Sequence, residues 1–293
     1  MLTADDILKA TGGRALTPCP KGFEGLSTDS RAIGGGELFV PLVGERFDGH
    51  DFMAEVFSKG AGGSLVQAGR SFDAPGRGCL IEVPDTLRAL QDIAGHIRQK
   101  HEKLLMVGVT GTNGKTTTKE MLASILSARG PVLKNEGNLN NGIGLPLTLM
   151  GLKDEHWAAV LEMGMSAEGE IARLAEIARP TVGVVTNIGP AHLLGLGSIE
   201  AIARAKGELV DALPPDGRAV LNFDDPHLKG LIEKNGDRAV TFGLGEGAAV
   251  SARDVTDSLH GVSFRLVMPA GEALVSLPVI GAHNVGNALA AAA

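Results

Sequence analysis

VGVTGTNGKTTTK, residues 107–119, is the stretch of sequence that decides the fold. It continues the apolar run Leu104–Val109, which is typical of a strand buried on both faces of a sheet. The glycines allow backbone N–H groups to close around phosphate oxygens, and a helix predicted from about Lys115 to Arg129 adds the positive field of its N-terminus. Strand, glycine-rich turn, lysine and helix in this order predict a phosphate-binding loop.

This loop departs from the strict pattern G-x-x-x-x-G-K-[ST], because Val109 occupies the position of the first glycine. We expect the Lys115 ammonium to lie between the outer phosphates and the Thr116 hydroxyl to ligate Mg²⁺. A glycine-rich turn with a chance lysine is the alternative. No guanine-reading Asn-Lys-x-Asp sequence is evident, which favours ATP over GTP. The residues predicted to contact the nucleotide are Gly111, Thr112, Asn113, Gly114, Lys115, Thr116 and Thr117.

The alternation of predicted strands and helices indicates an α/β protein with two domains. Residues 1–101 predict a small N-terminal α/β domain that ends with a helix over Asp85–Lys100. Residues 102–293 predict a central domain with a mainly parallel, doubly wound sheet. The last predicted strands are separated by turns and predict an antiparallel patch at one edge: Ala239–Phe242, Val262–Met268 and Ala273–Val279.

Polar residues follow the predicted strands of the central domain. Glu162 ends the strand Trp157–Met163, and His192 follows the strand Val182–Ile188, so both lie at the carboxyl edge where ligands bind in open α/β sheets. A strand-end acid and a solvated loop histidine are the simpler interpretations. Lys206 has the local pattern of a solvated helix lysine. Asn284 and Asn287 share one face at the start of a helix, where Asn284 could simply cap the helix.

Composition excludes several classes of function. The 293 residues carry a formal net charge of −7, which argues against bulk electrostatic binding to nucleic acid or to an anionic membrane. Aromatic residues make up only 3%, too few for stacking on single strands. Cys19 and Cys79 form neither a disulfide framework nor a metal-binding pair, and we expect two ordinary thiols. Without a signal peptide or an apolar run of about 18 residues, a cytoplasmic location is expected.

Five blocks in this order resemble the Mur ligases, which build the peptide stem of bacterial peptidoglycan, and the resemblance spans nearly the whole chain. They are residues 107–119, Glu162–Gly164, Thr186–His192, Ala205–Glu208 and His283–Asn287. Three further stretches resemble the members that add D-alanyl-D-alanine: RFDGHDF at 46–52, GNLNNGIGLPLT at 137–148, and GEI at 169–171.

The resemblance implies ATP-driven amide formation through an acyl phosphate, with UDP-N-acetylmuramoyl-peptide and D-alanyl-D-alanine as substrates. Lys115, His192 and Lys206 would be catalytic. Thr116, Glu162, His192 and Lys206 would hold Mg²⁺, with Lys206 matching the lysine that family members carbamylate. Asn284 and Asn287 match the adenine-binding block. The residues implied to bind the UDP-substrate are Thr28, Asp29, Ser30, Arg31, His50, Asn138, Asn140 and Asn141.

Family members also have a C-terminal Rossmann-like domain, which we expect to be absent here. We therefore expect the 293 residues alone to bind nucleotide weakly, to ligate poorly or not at all, and to be monomeric. Three alternatives remain: the sister ligase that adds lysine or diaminopimelate, a folylpolyglutamate-type ligase, and a non-catalytic nucleotide-binding module.

Overall fold

The computed structural model describes residues 2–70, 78–191 and 193–293. The chain forms two compact units. Unit 1 comprises Met1–Glu102 and Gly142–Leu152, and unit 2 comprises Lys103–Asn141 and Lys153–Ala293.

The strands, in chain order, are β1 Leu2–Thr3, β2 Arg14–Ala15, β3 Gly22–Phe23, β4 Leu26–Ser27, β5 Leu38–Phe39, β6 Gly63–Gln67, β7 Cys79–Val83, β8 Leu105–Thr110, β9 Val132–Lys134, β10 Ala158–Glu162, β11 Val182–Val185, β12 Arg218–Asn222, β13 Ala239–Gly243, β14 Val250–Ser258, β15 Gly261–Met268 and β16 Gly271–Leu277. The helices are α1 Ala4–Thr11, α2 Met53–Ser58, α3 Thr86–Gln99, α4 Lys115–Ser127, α5 Gly144–Leu149, α6 Glu170–Ala178, α7 Leu193–Leu196, α8 Ile199–Asp211, α9 Lys229–Asn235 and α10 His283–Ala292.

Unit 1 is built on a five-stranded sheet in the order β2-β7-β6-β5-β4, parallel except where β2 pairs with β7. Helix α3 starts at Asp85, whose carboxylate accepts the Arg88 N–H at 2.6 Å. Its apolar face, with Leu90 and Ile93, joins the core of the sheet. Helix α3 also contacts α5, so Gly142–Leu152 lies in unit 1 and not, as the sequence indicated, in the second domain.

The two cysteines are paired in unit 1, although the sequence predicted two ordinary thiols. Cys19 and Cys79 form a disulfide across a separation of 60 residues. Thr17 brings the two chain segments together, because its hydroxyl donates to Gly78 O at 3.1 Å and accepts the Leu80 N–H at 2.8 Å. This pairing depends on hydrogen bonds between distant residues, which the spacing of the cysteines does not reveal.

Unit 2 is built on a nine-stranded sheet in the order β16-β15-β14-β13-β12-β11-β8-β10-β9. The first strand in sequence, β8, lies between β10 and β11 and pairs with both in parallel. The chain crosses from one side of β8 to the other between β10 and β11. This reversal places the carboxyl ends of β8, β10 and β11 around one crevice, where ligands bind in such sheets.

The predicted fold class, with a mainly parallel sheet and an antiparallel patch, is confirmed. One strand that we predicted for the antiparallel patch belongs to the parallel part of the sheet. Ala239–Gly243 pairs in parallel with β12, whereas the antiparallel patch consists of β15 and its two neighbours, β14 and β16. Strand β14 was not predicted, because its residues from Arg253 onward are exposed and do not show the apolar pattern of a core strand.

The parallel strands are covered on both faces. Val107 and Val109 face the core shared with α4 and α10, whereas Gly108 lies on the opposite face, as the twofold alternation of a strand requires. A Cβ on Gly108 would lie 2.8 Å from Leu209 of α8, and Gly183, its partner in β11, faces the same leucine. These two glycines allow α8 to approach the sheet. Within the described residues, no helix is both long and apolar enough to cross a bilayer.

Candidate nucleotide site

Two glycines give the phosphate loop its backbone conformation. Gly111 and Gly114 have φ angles of 148° and 79°, in the region that residues with a Cβ rarely adopt. A Cβ on Gly111 would lie 1.9 Å from Thr186 Oγ1, and one on Gly114 would lie 2.2 Å from Asn287 Oδ1. Both positions therefore require glycine. The sequence analysis explained these glycines by the approach of backbone N–H groups to phosphate, and not by contacts within the protein.

The loop is held by the chain segment that follows β11. The Asn187 side chain accepts the Asn113 N–H at 2.9 Å and donates to Asn113 O at 3.0 Å, so that its amide binds both backbone polar groups of one residue. Thr186 Oγ1 donates to the same carbonyl at 2.6 Å. Thr112 is fixed in the same way, since its hydroxyl accepts the Gly189 N–H at 2.9 Å. These bonds fix the backbone of the loop to the segment after β11.

Helix α4 begins directly after the loop, at Lys115, and has no side-chain cap at its N-terminus. Its first N–H groups therefore have no side-chain acceptor from the cap residue, and such groups can bind an anion. Lys115 Nζ donates to Thr112 O at 3.0 Å in this structure, so the ammonium already lies over the loop. A cation and uncapped N–H groups at one helix end can together bind an anion.

Glu162 is the acidic residue at this edge. It ends β10, is only 3% exposed, and its two carboxylate oxygens have different partners. Thr116 Oγ1 donates to Oε2 at 2.7 Å, and Asn140 Nδ2 donates to Oε1 at 2.8 Å. The interpretation of Glu162 as an ordinary strand-end acid does not account for a buried carboxylate beside the first turn of the phosphate-loop helix.

Lys206 is buried, with 4% of its surface exposed, and is not the solvated helix lysine that its local pattern favours. Its Nζ donates to Gly111 O at 2.8 Å. Burial and, second, the nearby charge of Lys115 lower the pKa of Lys206 to about 8. This ammonium therefore loses its proton more readily than an ordinary lysine does.

Lys115, Lys206 and Asn140 line one cavity of about 380 Å³ within unit 2, and Asn140 connects this cavity to Glu162 through its hydrogen bond to Oε1. Its lining contains both lysines, two asparagines of the loop after β9, and the segment that follows β10. The lining residues are Gly111, Thr112, Lys115, Asn140, Asn141, Gly164, Met165, Ser166, Glu170, Ala191 and Lys206. The cavity brings together residues from five separate stretches of the sequence.

Other predicted residues of unit 2 have different positions. His192 lies outside the described residues, next to the cavity-lining Ala191. Asn138 is exposed on the loop. Asn284 does not cap α10, which begins at His283; its amide donates to Ile280 O at 2.9 Å and accepts from Asn287 at 3.0 Å. Asn287 in turn packs against Gly114. Both asparagines are buried behind the loop, and their role toward adenine stays a prediction.

The predicted substrate residues of unit 1 fall into two environments. Thr28–Arg31 form a turn at the carboxyl end of β4, where Arg31 pairs with Asp29 at 2.8 Å and keeps 86% of its side chain exposed. The hydrogen bond from Arg31 lowers the pKa of Asp29 to about 2. His50 is buried: Nδ1 lies 2.6 Å from Asp48 Oδ1, and Nε2 accepts the Gln67 N–H at 3.1 Å.

Two residues that shape the site were not singled out from the sequence. Asn187 holds the loop through its paired amide and lies in a block that carried the resemblance. Glu208 of α8 accepts the N–H groups of Gly169 and Ala172 at 2.7 and 2.9 Å, and so caps α6 beside the cavity. Its place in the block Ala205–Glu208, two residues after Lys206, could have indicated Glu208, but its partners lie 39 and 36 residues away.

Comparison with known families gives two matches. The Mur ligase middle domain matches residues 109–293, and the family described as "Mur ligase family, catalytic domain" matches residues 22–98.

Curated relatives include two proteins named UDP-N-acetylmuramoyl-tripeptide–D-alanyl-D-alanine ligase. The protein from Bacillus subtilis (strain 168) is 42% identical over 272 residues, which are 92% of this chain and 58% of the relative. The protein from Escherichia coli (strain K12) is 41% identical over 274 residues, 92% of this chain and 59% of the relative. The chain thus spans a little under three fifths of the length of these relatives.

Two solved structures are also similar to this chain. MurF from Acinetobacter baumannii superposes with a TM-score of 0.94 at 37% identity, over 99% of this chain and 64% of that one. MurF ligase from Thermotoga maritima in complex with ADP superposes with a TM-score of 0.82 at 31% identity, over 91% of this chain and 61% of that one. By its sequence blocks, its sheet order and these matches, the chain belongs to the Mur ligase family.

Proposed function

We propose that the chain supplies the nucleotide-binding and UDP-substrate-binding parts of an ATP-dependent ligase that adds D-alanyl-D-alanine to UDP-N-acetylmuramoyl-tripeptide. The observation that carries the proposal is that Asn140, which lines one cavity with Lys115 and Lys206, donates to the same Glu162 carboxylate that accepts the Thr116 hydroxyl. The names of the relatives support the substrates, and the family supports formation of a C–N bond.

The phosphate loop provides the charge neutralisation that phosphoryl transfer requires. The N–H groups at the start of α4 would bind the phosphate oxygens, and the Lys115 ammonium would leave Thr112 O to contact the outer phosphates. Because the loop is already held by Asn187 and Thr186, little reorganisation would accompany binding. Positioning and charge, rather than covalent chemistry by the protein, would then accelerate the reaction.

The donor set fits Mg²⁺. Thr116 and Glu162 present a hydroxyl and a carboxylate, the hard oxygen ligands that Mg²⁺ prefers, with their oxygens 2.7 Å apart at the start of α4. We propose that these two residues hold the ion, together with His192, whose position is not described. Bound there, the ion would neutralise charge on the phosphate oxygens.

Lys206 is proposed to be the lysine that becomes carbamylated. In that reaction the unprotonated Nζ attacks the carbon of CO₂, a C–N bond forms, and the nitrogen releases a proton. A pKa of about 8 leaves roughly a tenth of the amine unprotonated at pH 7. The resulting anion would remove the repulsion between Lys206 and Lys115 and would suit a neighbouring cation.

The residues proposed to contact the UDP-substrate are those that the resemblance implies. Thr28, Asp29, Ser30 and Arg31 would contact the uridine part, and the exposed Arg31 guanidinium is available to an anionic group. Asn138, Asn140 and Asn141 would contact the muramoyl-peptide. The ligand-binding role of His50 stays a prediction, since both of its ring nitrogens already have partners within unit 1.

We also propose that the protein is a monomer and that it is located in the cytoplasm.

The main alternative is the sister ligase that adds lysine or diaminopimelate. The curated relatives of 35–42% identity, all named for D-alanyl-D-alanine, favour our proposal. The two ligases act on different acceptors, so binding of UDP-N-acetylmuramoyl-tripeptide and of the corresponding dipeptide to this chain distinguishes them. Tighter binding of the dipeptide would contradict our assignment.

The nucleotide site is tested with Lys115→Ala. We expect calorimetric titration with a non-hydrolysable ATP analogue and Mg²⁺ to show affinity reduced by roughly a hundredfold or more, because charged hydrogen bonds to the phosphates are lost. Lys153→Ala is the control, since this lysine lies in unit 2 with 70% of its side chain exposed. Unchanged affinity of Lys115→Ala would contradict the assignment of the loop.

A further inference from the structure

Two buried polar residues lie behind Glu162, and the proposed function has not used them. Lys119 is in α4, three residues after Thr116, and only 1% of its surface is exposed. Asn135 follows directly after β9 and is fully buried. Neither residue lines the cavity. Buried polar side chains of this kind are costly unless their hydrogen bonds are satisfied, so their partners are informative.

The Asn135 amide pairs with the backbone of Glu162. Its Oδ1 accepts the Glu162 N–H at 2.9 Å, and its Nδ2 donates to Glu162 O at 3.0 Å. Strand β9 pairs with β10 only as far as Lys134 and Val160. The side chain of Asn135 thus continues the pairing beyond the end of the ladder and fixes the peptide groups on both sides of the Glu162 Cα.

The same amide also fixes the asparagine-rich loop. Asn135 Nδ2 donates to Leu139 O at 2.9 Å and closes the turn that leads to Asn140. Asn140 then reaches Glu162 Oε1 through its side chain, while its carbonyl accepts the Gly164 N–H at 2.8 Å. One buried side chain therefore positions both the backbone of Glu162 and the residue that binds one of its carboxylate oxygens.

Lys119 connects this arrangement to the phosphate-loop helix. Its Nζ donates to the backbone carbonyl of Asn135 at 2.6 Å and lies 3.0 Å from Glu120 Oε1. Helix α4 contributes Thr116 to the other oxygen of Glu162, so Lys119 links the helix that carries Thr116 to the loop that carries Asn140. The two donors to the carboxylate are held at a fixed separation by one internal network.

We propose that Asn135 and Lys119 are positioning residues that orient the Glu162 carboxylate for the divalent cation bound with the nucleotide. The inference rests on the proposed function, because the cation accompanies ATP. With Thr116 on one oxygen and Asn140 on the other, each oxygen keeps a lone pair for a further ligand. Residues that orient a metal-binding side chain in this way affect metal affinity by about tenfold to a hundredfold.

The test uses the 293-residue chain and the variants Asn135→Asp and Lys119→Met. Asn135→Asp keeps the shape and removes the donor groups, and Lys119→Met removes the charge and the donor with little change in volume. Affinity for a non-hydrolysable ATP analogue is measured by calorimetry with Mg²⁺ and again with EDTA. We expect the gain in affinity due to Mg²⁺ to fall about tenfold in each variant, with affinity in EDTA nearly unchanged.

Asn235→Ala is the matched control. Asn235 is also a buried asparagine of unit 2, but its partners are Leu231 and Arg238, away from the cavity. We expect a lower melting temperature and an unchanged effect of Mg²⁺. Hydrogen exchange of residues 135–141 in the nucleotide-free chain provides a second readout, and we expect faster exchange in Asn135→Asp and in Lys119→Met than in Asn235→Ala.

Two results would overturn the inference. One is an unchanged gain from Mg²⁺ in the folded variants, including the case of an equal loss with Mg²⁺ and with EDTA, which would indicate a structural role alone. The other is hydrogen exchange of residues 135–141 that is no faster in Asn135→Asp and Lys119→Met than in Asn235→Ala. Should Asn135→Asp fail to fold, Lys119→Met tests the same network. A wild-type chain that binds no nucleotide even with Mg²⁺ would instead contradict the proposed function, so the two failures are distinguishable.

Discussion

The phosphate loop of unit 2 and the Thr28–Arg31 turn of unit 1 are both polar segments at the carboxyl end of a parallel strand, yet Asn113 of the loop and Arg31 of the turn are held in opposite ways. Asn113 in the phosphate loop is bound by Thr186 and Asn187, which are 73 and 74 residues away. In the turn, Arg31 binds Asp29, two residues away, and its side chain remains exposed.

This difference predicts how much each segment must be ordered when a ligand binds. Groups fixed by distant partners are already positioned, so a ligand gains affinity without ordering them. Groups held by a neighbour in sequence keep their freedom, and a ligand must order them and displace their local partner. We therefore expect substitutions in the phosphate loop to affect folding and binding together, and substitutions in the turn to affect binding alone.

The largest effect is expected for Gly111→Ala. Its Cβ would lie 1.9 Å from Thr186 Oγ1, and Thr186 is buried and would have to give up its bond to Asn113 O. We expect the free energy of unfolding to fall by more than about 3 kcal/mol, with loss of nucleotide binding. Chemical denaturation and calorimetry measure the two effects.

Gly169→Ala is the control for this comparison. Gly169 also has a positive φ, of 85°, but a Cβ added there would meet no atom within 4 Å. The substitution should cost only the backbone term of about 1 kcal/mol. Equal losses in the two variants would mean that the contact with Thr186 does not hold the loop.

The next effect separates His50 from Arg31 in unit 1. We expect His50→Ala to lower the free energy of unfolding by about 2–3 kcal/mol, because the Gln67 N–H loses its acceptor and a buried side chain is removed. Arg31→Ala should leave the melting temperature unchanged and weaken binding of the UDP-substrate by about tenfold. A His50→Ala variant that is fully stable but no longer binds would assign His50 to the ligand instead.

The smallest expected effect is on the free energy of unfolding, and it is measured by comparing two carboxylates of unit 1, Asp6 and Asp29. Partial burial opposes ionisation of Asp6, but hydrogen bonds from Lys100, Thr3 and His96 outweigh it and lower its pKa well below the usual range. We expect Asp6→Asn to lower the free energy of unfolding by about 1 kcal/mol near neutral pH. Asp29→Asn should have no measurable effect, since the pair that it forms with Arg31 is exposed.

The pH dependence gives the sign of the Asp6 effect. A carboxylate whose pKa is lower in the folded protein stabilises it above the unfolded pKa, and this contribution is lost as pH falls toward the folded pKa. The difference between wild type and Asp6→Asn should therefore be constant above about pH 5 and shrink below about pH 4. A difference that grows on acidification, measured by urea unfolding at several pH values, would contradict this account.

Much of the architecture could be predicted because it depends on local pattern. The apolar run before the loop predicted β8, and the glycines and Lys115 predicted a helix that starts at Lys115. Patterns could not show that Ala239–Gly243 pairs in parallel with β12, because the direction of a strand depends on its partner. Nor could they show that Gly142–Leu152 joins unit 1, because that depends on packing against α3.

The sequence by itself determined the phosphate loop, the alternation of strands and helices, and the position of Glu162 at a strand end, since each follows from residues within one turn or one strand. Only the tertiary structure decided that Asn135, Asn140 and Thr116 all converge on Glu162, and that His50 and Asn287 are buried among internal partners. Hydrogen bonds between distant segments depend on how the sheet orders its strands, and that order is a property of the folded chain.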